Sequence, residues 1–435
     1  MAVFVAAAAS DHEKALDDSR RASPGRVGGH GRPRHCTTLT SVSAIPAKEA
    51  ACRTVDDLAD ELLAISHAIH ANPELCYEEH FAAAQLSASL ARHGVAVEAP
   101  AYGLETSFVG RSGSTGPHVV ICCEYDALPE IGHGCGHNII AAAGLGAGLA
   151  LASLAESLGG RVTILGTPAE EGGGGKVRLL ERGAFADADV AMMIHPEPAN
   201  VEIAPYLANE TLIITMHGKA AHASSSARSG VNALDALVLG YQGAQMIRAN
   251  LRRDERVFGI ITNGGTADNV IPAEAKARYK IRAGTRTRVD ALRARLTECF
   301  EGAARQVGAT CTVESLGGYL DLRANRTLAA SFRINAESLG RSFLDPAIVP
   351  IEAAGSTDMG NVSYALPVIH PVLDVGTFCA GHTIEMTAAA ITGGADRCAL
   401  DGAKAMAMTV IDYWASADLR NDVRREWQET MAGVG

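Results

Sequence analysis

The sequence predicts an α/β fold, a mixed, mainly parallel sheet covered by helices, with a smaller α+β unit inserted into it. Three observations carry that expectation. VVICC (119–123), VTILG (162–166) and DVAMMI (189–194) are apolar at nearly every position and are separated by helical periodicity, the mark of strands buried on both faces. Near Pro205 the texture changes to alternation, as in TLIITMHG and AEAKARYKIRAG, which predicts strands with one wet face. From about residue 319 the first texture returns, in PVIHPVLDVG and a closing helix over about 399–414, so the alternating stretch interrupts one larger domain.

In order along the chain, VDDLADELLAISHAIHAN (55–72) places Leu58, Leu62, Ile65 and Ile69 at helical spacing, and Pro73 ends the run. A second amphipathic helix follows over about 78–93. After the strand at 119–123 come a long small-residue helix over about 138–158, the strand at 162–166, a helix at 176–182 and the strand at 189–194. The insert reads strand, helix (about 231–252), two strands, helix (about 288–307) and strand. The expected boundaries are a main domain in two parts, 51–207 and 319–420, the insert at 208–318 and a C-terminal tail at 421–435. Residues 1–50 are rich in Gly, Arg, Pro and Ser, bury too little to offset ordering entropy, and are expected to form a disordered extension.

At 435 residues the chain exceeds what one core usually supports. No apolar run approaches the roughly 18 residues of a membrane span, which argues against a membrane partner. The net charge is −11, and residues 1–50 are themselves net basic, so the remainder is more acidic still, which argues against nucleic acid. Ten cysteines follow no framework of spacings, and MAVFVAAAAS lacks the basic flank of a secretory signal. Both point to a reducing, cytoplasmic compartment.

Each parallel strand runs into polar residues at its C-terminal end: the first into Glu124, Tyr125 and Asp126, the second into Thr167, Glu170 and Glu171, the third into His195. Ligands of open α/β sheets gather at those ends, so groups tens of residues apart can converge there. Directly after the first strand, EIGHGCGHNII (130–140) sets Cys135 and His137 two apart among glycines, a spacing that lets both turn to one ion. Taken singly, each feature has a plain alternative: a turn, a solvated acidic pair, a buried histidine. Their shared placement favours a metal centre. Adjacent residues cannot easily aim at one ion, so Glu170 and Glu171 suggest divided labour, one coordinating and the other facing the water to be activated. A metal lowers the pKa of water from about 16 to about 7, and a neighbouring carboxylate can move its proton to a leaving amine. GGGGK (172–176) misses the phosphate-loop pattern at its first glycine and at its last position, no G-x-S-x-G occurs, and Cys122 and Cys123 read as core.

NPELCYEEHFA, CEYDALPEIGHGCGHNI, GTPAEEGGGGKVRLLERGAF, MMIHP, GKAAHASSSARSGVNALDA, ITNGGTADNVIPAEAKARYKIRA and GSTDMGNVSYALPVIHP occur in order over about 55–415. Together they resemble the peptidase M20 family in its amidohydrolase branch. Asn138, where most of that branch has Asp, resembles the Xaa-Arg (β-alanyl-lysine) dipeptidase type, with the aminobenzoyl-glutamate hydrolase type beside it. The resemblance implies a metallopeptidase catalytic domain, with the insert as lid and dimerisation domain. It implies the metal ligands Cys135, His137, Glu171, His195 and His382, Cys135 standing where other members carry a bridging Asp. It makes Glu170 the general base and acid and Asp126 the group that orients a ligand histidine. His222 would stabilise the oxyanion, often across a dimer, Asn269 and Arg282 would contact substrate, and Gly355, Ser356, Thr357 and Asp358 would line the pocket. Glu124 stands where other members have a first metal-binding histidine, and His133 falls outside the ligand shell. Thiolate and imidazole ligands suit Zn2+, with Mn2+ the alternative, at one or two ions per subunit. The expectation is a cytoplasmic, homodimeric metallo-dipeptidase acting on a small dipeptide. The alternatives are an amidohydrolase of N-acyl amino acids or aminobenzoyl-glutamate, and a noncatalytic binding or regulatory subunit.

Overall fold

A computed structural model describes residues 44–433 of the chain. The disorder expected over 1–43 lies outside the described residues. Over 44–50 that expectation is overturned, because helix Ala44–Asp57 buries Ala44, Ala47, Ala51 and Val55 on one side. A stripe made mostly of alanine carries too little apolar weight to stand out from the polar segment before it. The run expected as one helix from Val55 is two, the second being Ala59–Ala71, which buries Leu62, Ile65 and Ile69.

The chain divides into two compact units. One holds the residues up to Ala204, Arg323–Pro350 and those from Val362 on; the other holds Pro205–Leu322 and Ile351–Asn361. In the first, helix His80–Arg92 leads to an antiparallel pair that the sequence reading lacked, β1 (Ala96–Glu98) and β2 (Val109–Ser112), both short and β1 not apolar. β3 (His118–Cys123) is buried at every position, and β4 (Arg161–Gly166) and β5 (Val190–Met192) flank it in parallel. Helix His137–Ala152 connects β3 to β4 by way of the short helix Ala155–Leu158, and only its last residue is not buried. Glycine allows that closeness: a Cβ on Gly148 would stand 2.2 Å from Ile164 Cγ1, and one on Gly144 2.6 Å from Cys123 Sγ. Helix Gly175–Glu181 follows β4, and β6 (His195–Glu197) follows β5.

The second unit contains β7 (Ala208–His217), β8 (Ala221–His222), helix Ala233–Arg248, β9 (Arg256–Asn263), β10 (Val270–Ile271), β11 (Glu274–Ala283), helix Arg286–Val307 and β12 (Thr310–Ser315). Its antiparallel sheet runs β12-β7-β11-β9, and β8 pairs with β10. The alternation read from the sequence gives this unit its core, where Leu212, Ile214, Tyr279 and Ile281 pack with Leu237, Leu296 and Phe300 of the two helices.

Back in the first unit, β13 (Val368–Ile369) completes the sheet order β1-β2-β4-β3-β5-β13, and β14 (Val372–Asp374) pairs in parallel with β6. Helix Gly393–Ala415 packs on helix His137–Ala152. Most of the expected tail is helix Ala417–Ala432, started by Ser416, whose hydroxyl accepts from Leu419 N, and anchored by buried Leu419 and Val423. No helix among the described residues is long and apolar enough to cross a membrane.

Candidate metal centre

Parallel register assembles the site. Cys123 pairs with Gly166 and Ile121 with Met192, so Glu124–Asp126, Thr167–Glu171 and His195 leave the sheet on one side. Between Cys135 and His137, Gly136 sits at φ 74°, a left-handed conformation that glycine adopts without strain. A Cβ there would meet Pro196 Cγ at 2.6 Å. His382 arrives on the loop before helix Ile384–Ala389, its N–H donating to Gly134 O at 2.8 Å.

Cys135 Sγ lies 3.4 Å from His195 Nε2, His137 Nε2 lies 3.8 Å from Glu171 Oε1, and His382 Nε2 lies 3.3 Å from Glu171 Oε2. Donors bound tetrahedrally to one ion at about 2.0–2.3 Å stand about 3.3–3.8 Å apart, so these are spacings that a shared cation would impose. Three overlapping triads have their donor atoms within 4.8 Å of one another: Cys135, His137 and His195; Cys135, Glu171 and His382; His137, Glu170 and Glu171. His137 Nε2 and Glu171 Oε1 are buried without hydrogen-bond partners. Buried polar atoms are ordinarily satisfied, so this facing pair marks a place that a cation fits. Both rings are fixed from behind: His137 Nδ1 is 2.8 Å from Asp126 O and 3.0 Å from Asp126 Oδ1, and His195 Nδ1 is 2.9 Å from Pro196 O. Each therefore turns Nε2 to the cluster.

The electrostatics agree with the donor geometry. Burial, with Glu171 adding to it, pushes the Cys135 thiol well above its ordinary range. Burial, then the positive His137, brings His195 down to about 3. At Asp126 burial alone would raise the carboxyl, but the His137 ring together with the Glu171 and Glu170 backbone amides outweighs it and holds it at about 2. Burial likewise opposes the charge on His137, yet Cys135 and Asp126 keep its pKa well above the usual value. A cation among these groups favours the thiolate and the neutral imidazoles that can bind it.

Glu170 is buried and belongs to the third triad. His133 stacks on His70, with its Nε2 3.2 Å from Ile69 O, and stands outside all three triads. In the second unit, β8–β10 pairing sets His222 opposite Val270, and Ala223 N donates to Asn269 O at 2.9 Å. Arg282 is not with them. It pairs with Asn209 and Arg256 near the far end of β11, eight residues past Glu274, or about 27 Å along the strand. Gly355 accepts from Leu207 N at 2.8 Å, which places Gly355, Ser356, Thr357 and Asp358 in the second unit rather than in the returning part of the main domain.

Sequence reasoning missed Lys176 and His370. Lys176 is 0% exposed and forms an ion pair with Glu124, whose other oxygen is 3.5 Å from His137 Nε2. The signal was available: a lysine in the first turn of a helix opposes the helix dipole and calls for an anionic partner. Buried His370 meets the His195 ring edge to face at 5.6 Å and offered no such cue.

Comparison with known proteins matches residues 122–391 to peptidase family M20/M25/M40. The Xaa-Arg dipeptidase of Mus musculus is 38% identical over 412 residues, covering 91% of this chain and 96% of that protein. A p-aminobenzoyl-glutamate hydrolase chain of Escherichia coli K12 is 29% identical, covering 88% of this chain and 94% of that one. A crystal structure of a dinuclear metal-binding M20 peptidase from Bacillus subtilis superposes with a TM-score of 0.62 at 19% identity, covering 82% of this chain and 99% of that one.

Proposed function

The chain belongs to peptidase family M20 and is a metal-dependent hydrolase of the dipeptidase and amidohydrolase type, and from that premise we propose that it cleaves dipeptides ending in a basic residue. The observation that carries the reading is the convergence of Cys135, His137, Glu171, His195 and His382 around buried, unpartnered donor atoms, with Glu170 beside them. These five residues would hold one or two divalent cations, Zn2+ being the best match to the donor set and Mn2+ the alternative. A cation bound there supplies Lewis acidity, bringing the pKa of water near 7 and polarising the scissile carbonyl. Glu170 then takes the proton of the attacking water and delivers it to the departing amine. Asp126 keeps the His137 ring in place throughout.

The inserted unit is read as the lid and dimerisation domain, with His222 stabilising the oxyanion and Asn269, Arg282 and residues 355–357 contacting substrate. A homodimer fits two features of that unit. Edge strand β9 exposes Phe258 and Ile260, the latter at 64%, and helix Ala233–Arg248 exposes Met246 at 72%, surfaces that proteins ordinarily cover. A cytoplasmic location fits the nine unpaired cysteines among the described residues.

The deciding experiment assays the purified, metal-loaded protein on β-alanyl-lysine, hippurate and aminobenzoyl-glutamate. Turnover of β-alanyl-lysine is expected. Activity confined to the other two would replace the dipeptidase reading with the amidohydrolase alternative.

A further inference from the structure

The segment NPELCYEEH contributes none of the proposed ligands, yet it packs against the loop that carries both glutamates. Glu79 is the residue before helix His80–Arg92, a position where a side chain commonly caps the helix, but its carboxylate makes no capping bond. Glu74 does that instead, accepting from Phe81 N at 2.8 Å and Ala82 N at 3.0 Å. Glu79 is 0% exposed, and its Oε1 accepts from Tyr77 N and Ala169 N, each at 2.9 Å. Both of those residues are left-handed, Tyr77 at φ 65° and Ala169 at φ 61°, a conformation that side-chain-bearing residues keep only when their surroundings impose it.

Ala169 directly precedes Glu170. Along this loop the backbone is tied at alternate residues: Thr167 N donates to Cys123 O at 2.7 Å, Ala169 N to Glu79, Glu171 N to Asp126 Oδ2 at 3.0 Å, and Gly173 O accepts from Tyr77 Oη at 2.7 Å. The amides on either side of Glu170 are thus each held by a buried carboxylate. Without such anchors, two adjacent glutamates would repel each other and turn toward water.

We propose that Glu79 is a positioning residue for Glu170, clamping the left-handed Ala169 turn so that the Glu170 carboxylate is held in reach of the attacking water. The proposal rests on the reading of Glu170 as general base. Reach, not charge, is what the clamp requires. Glu79→Gln keeps the carbonyl acceptor at full length, whereas Glu79→Asp keeps the charge and withdraws the acceptor by about 1.5 Å.

The test measures kcat, KM and metal content of the metal-loaded enzyme for both variants, and combines Glu79→Asp with Glu170→Ala. Glu79→Asp is expected to lower kcat about 30- to 100-fold, with KM within about threefold and metal content unchanged, because a shift of about 1 Å at a reacting group costs on that order. Glu79→Gln is expected to stay within about threefold of the parent, and Glu79→Asp to cost nothing further once Glu170 is alanine. The proposal is overturned by a parental kcat in Glu79→Asp, by Glu79→Gln falling as far as Glu79→Asp, by metal loss that accounts for the fall, or by an undiminished effect in the Glu170→Ala background. Parental turnover in Glu170→Ala alone would overturn the general-base reading itself, a separate result.

Discussion

In the first unit Asp126, His137 and Glu170 are buried, Cys135, Glu171 and His195 are half-buried, and they restrain one another, with only His382 exposed beside them; in the second, His222 and Asn269 are exposed and held by a two-residue strand pair. Asp126 fixes His137 through one oxygen and Glu171 N through the other, and His195 is held from behind by Pro196. His222 Nδ1 accepts from Ser224 N of its own loop at 3.2 Å. The first arrangement is a preorganised receptor whose unpartnered donor atoms call for a cation. The second presents a side chain and calls for something to act on. The contrast predicts that changes in the first region remove metal or chemistry, while changes in the second leave the metal in place and alter substrate binding or the rate.

The harshest test is removal of the metal. Chelation is expected to take turnover below detection, and added Zn2+ to restore it, followed by parallel metal analysis and assay; turnover surviving verified metal loss would break the reading of the first unit. Next comes Glu170→Gln, expected to lower kcat by about 10²- to 10⁴-fold with metal content unchanged. If metal were lost as well, the division of labour between Glu170 and Glu171 would be wrong. His222→Ala should cost about 10²- to 10³-fold in kcat at full metal content, the usual effect of deleting an oxyanion donor. Parental kcat in that variant would leave the second unit without a catalytic part.

How much of this was legible follows from the same contrast. Cys135 and His137 stood out because glycines isolate them and because β3 is apolar enough to announce its own end. Glu170 and Glu171 stood out by adjacency. Lys176 did not, since a lysine after four glycines is more readily tested as a phosphate loop than as the buried partner of a glutamate 52 residues earlier. Glu79 falls in the first turn of the helix expected over about 78–93, and only the fold shows that Glu74 caps the helix while Glu79 turns to Ala169. Sheet order was likewise invisible: β1 and β2 are too short to carry a period, and the antiparallel edge they form depends on partners chosen in three dimensions. In the second unit the alternating pattern gave the strands, but no local pattern says that His222 ends up paired opposite Val270, beside Asn269.

The smallest effect concerns stability and follows from burial in the first unit. Glu197, at the end of β6, is pushed up to about 7 by burial. A carboxyl whose folded pKa exceeds its unfolded value, near 4.3, keeps its proton longer when folded, so the folded state binds more protons between those values and loses stability as pH rises through them. Glu197→Gln cannot ionise and escapes that loss. Relative to the parent, the metal-free variant should therefore gain roughly 1–2 kcal/mol between pH 5 and pH 8, a figure reduced because solvent reaches part of the side chain. Both tryptophans, Trp414 and Trp427, lie in the first unit, so urea unfolding followed by their fluorescence reports that unit directly. A variant whose advantage stayed flat with pH would show that Glu197 is solvated in solution. The burial contrast between the two units would then be confined to the residues around the metal.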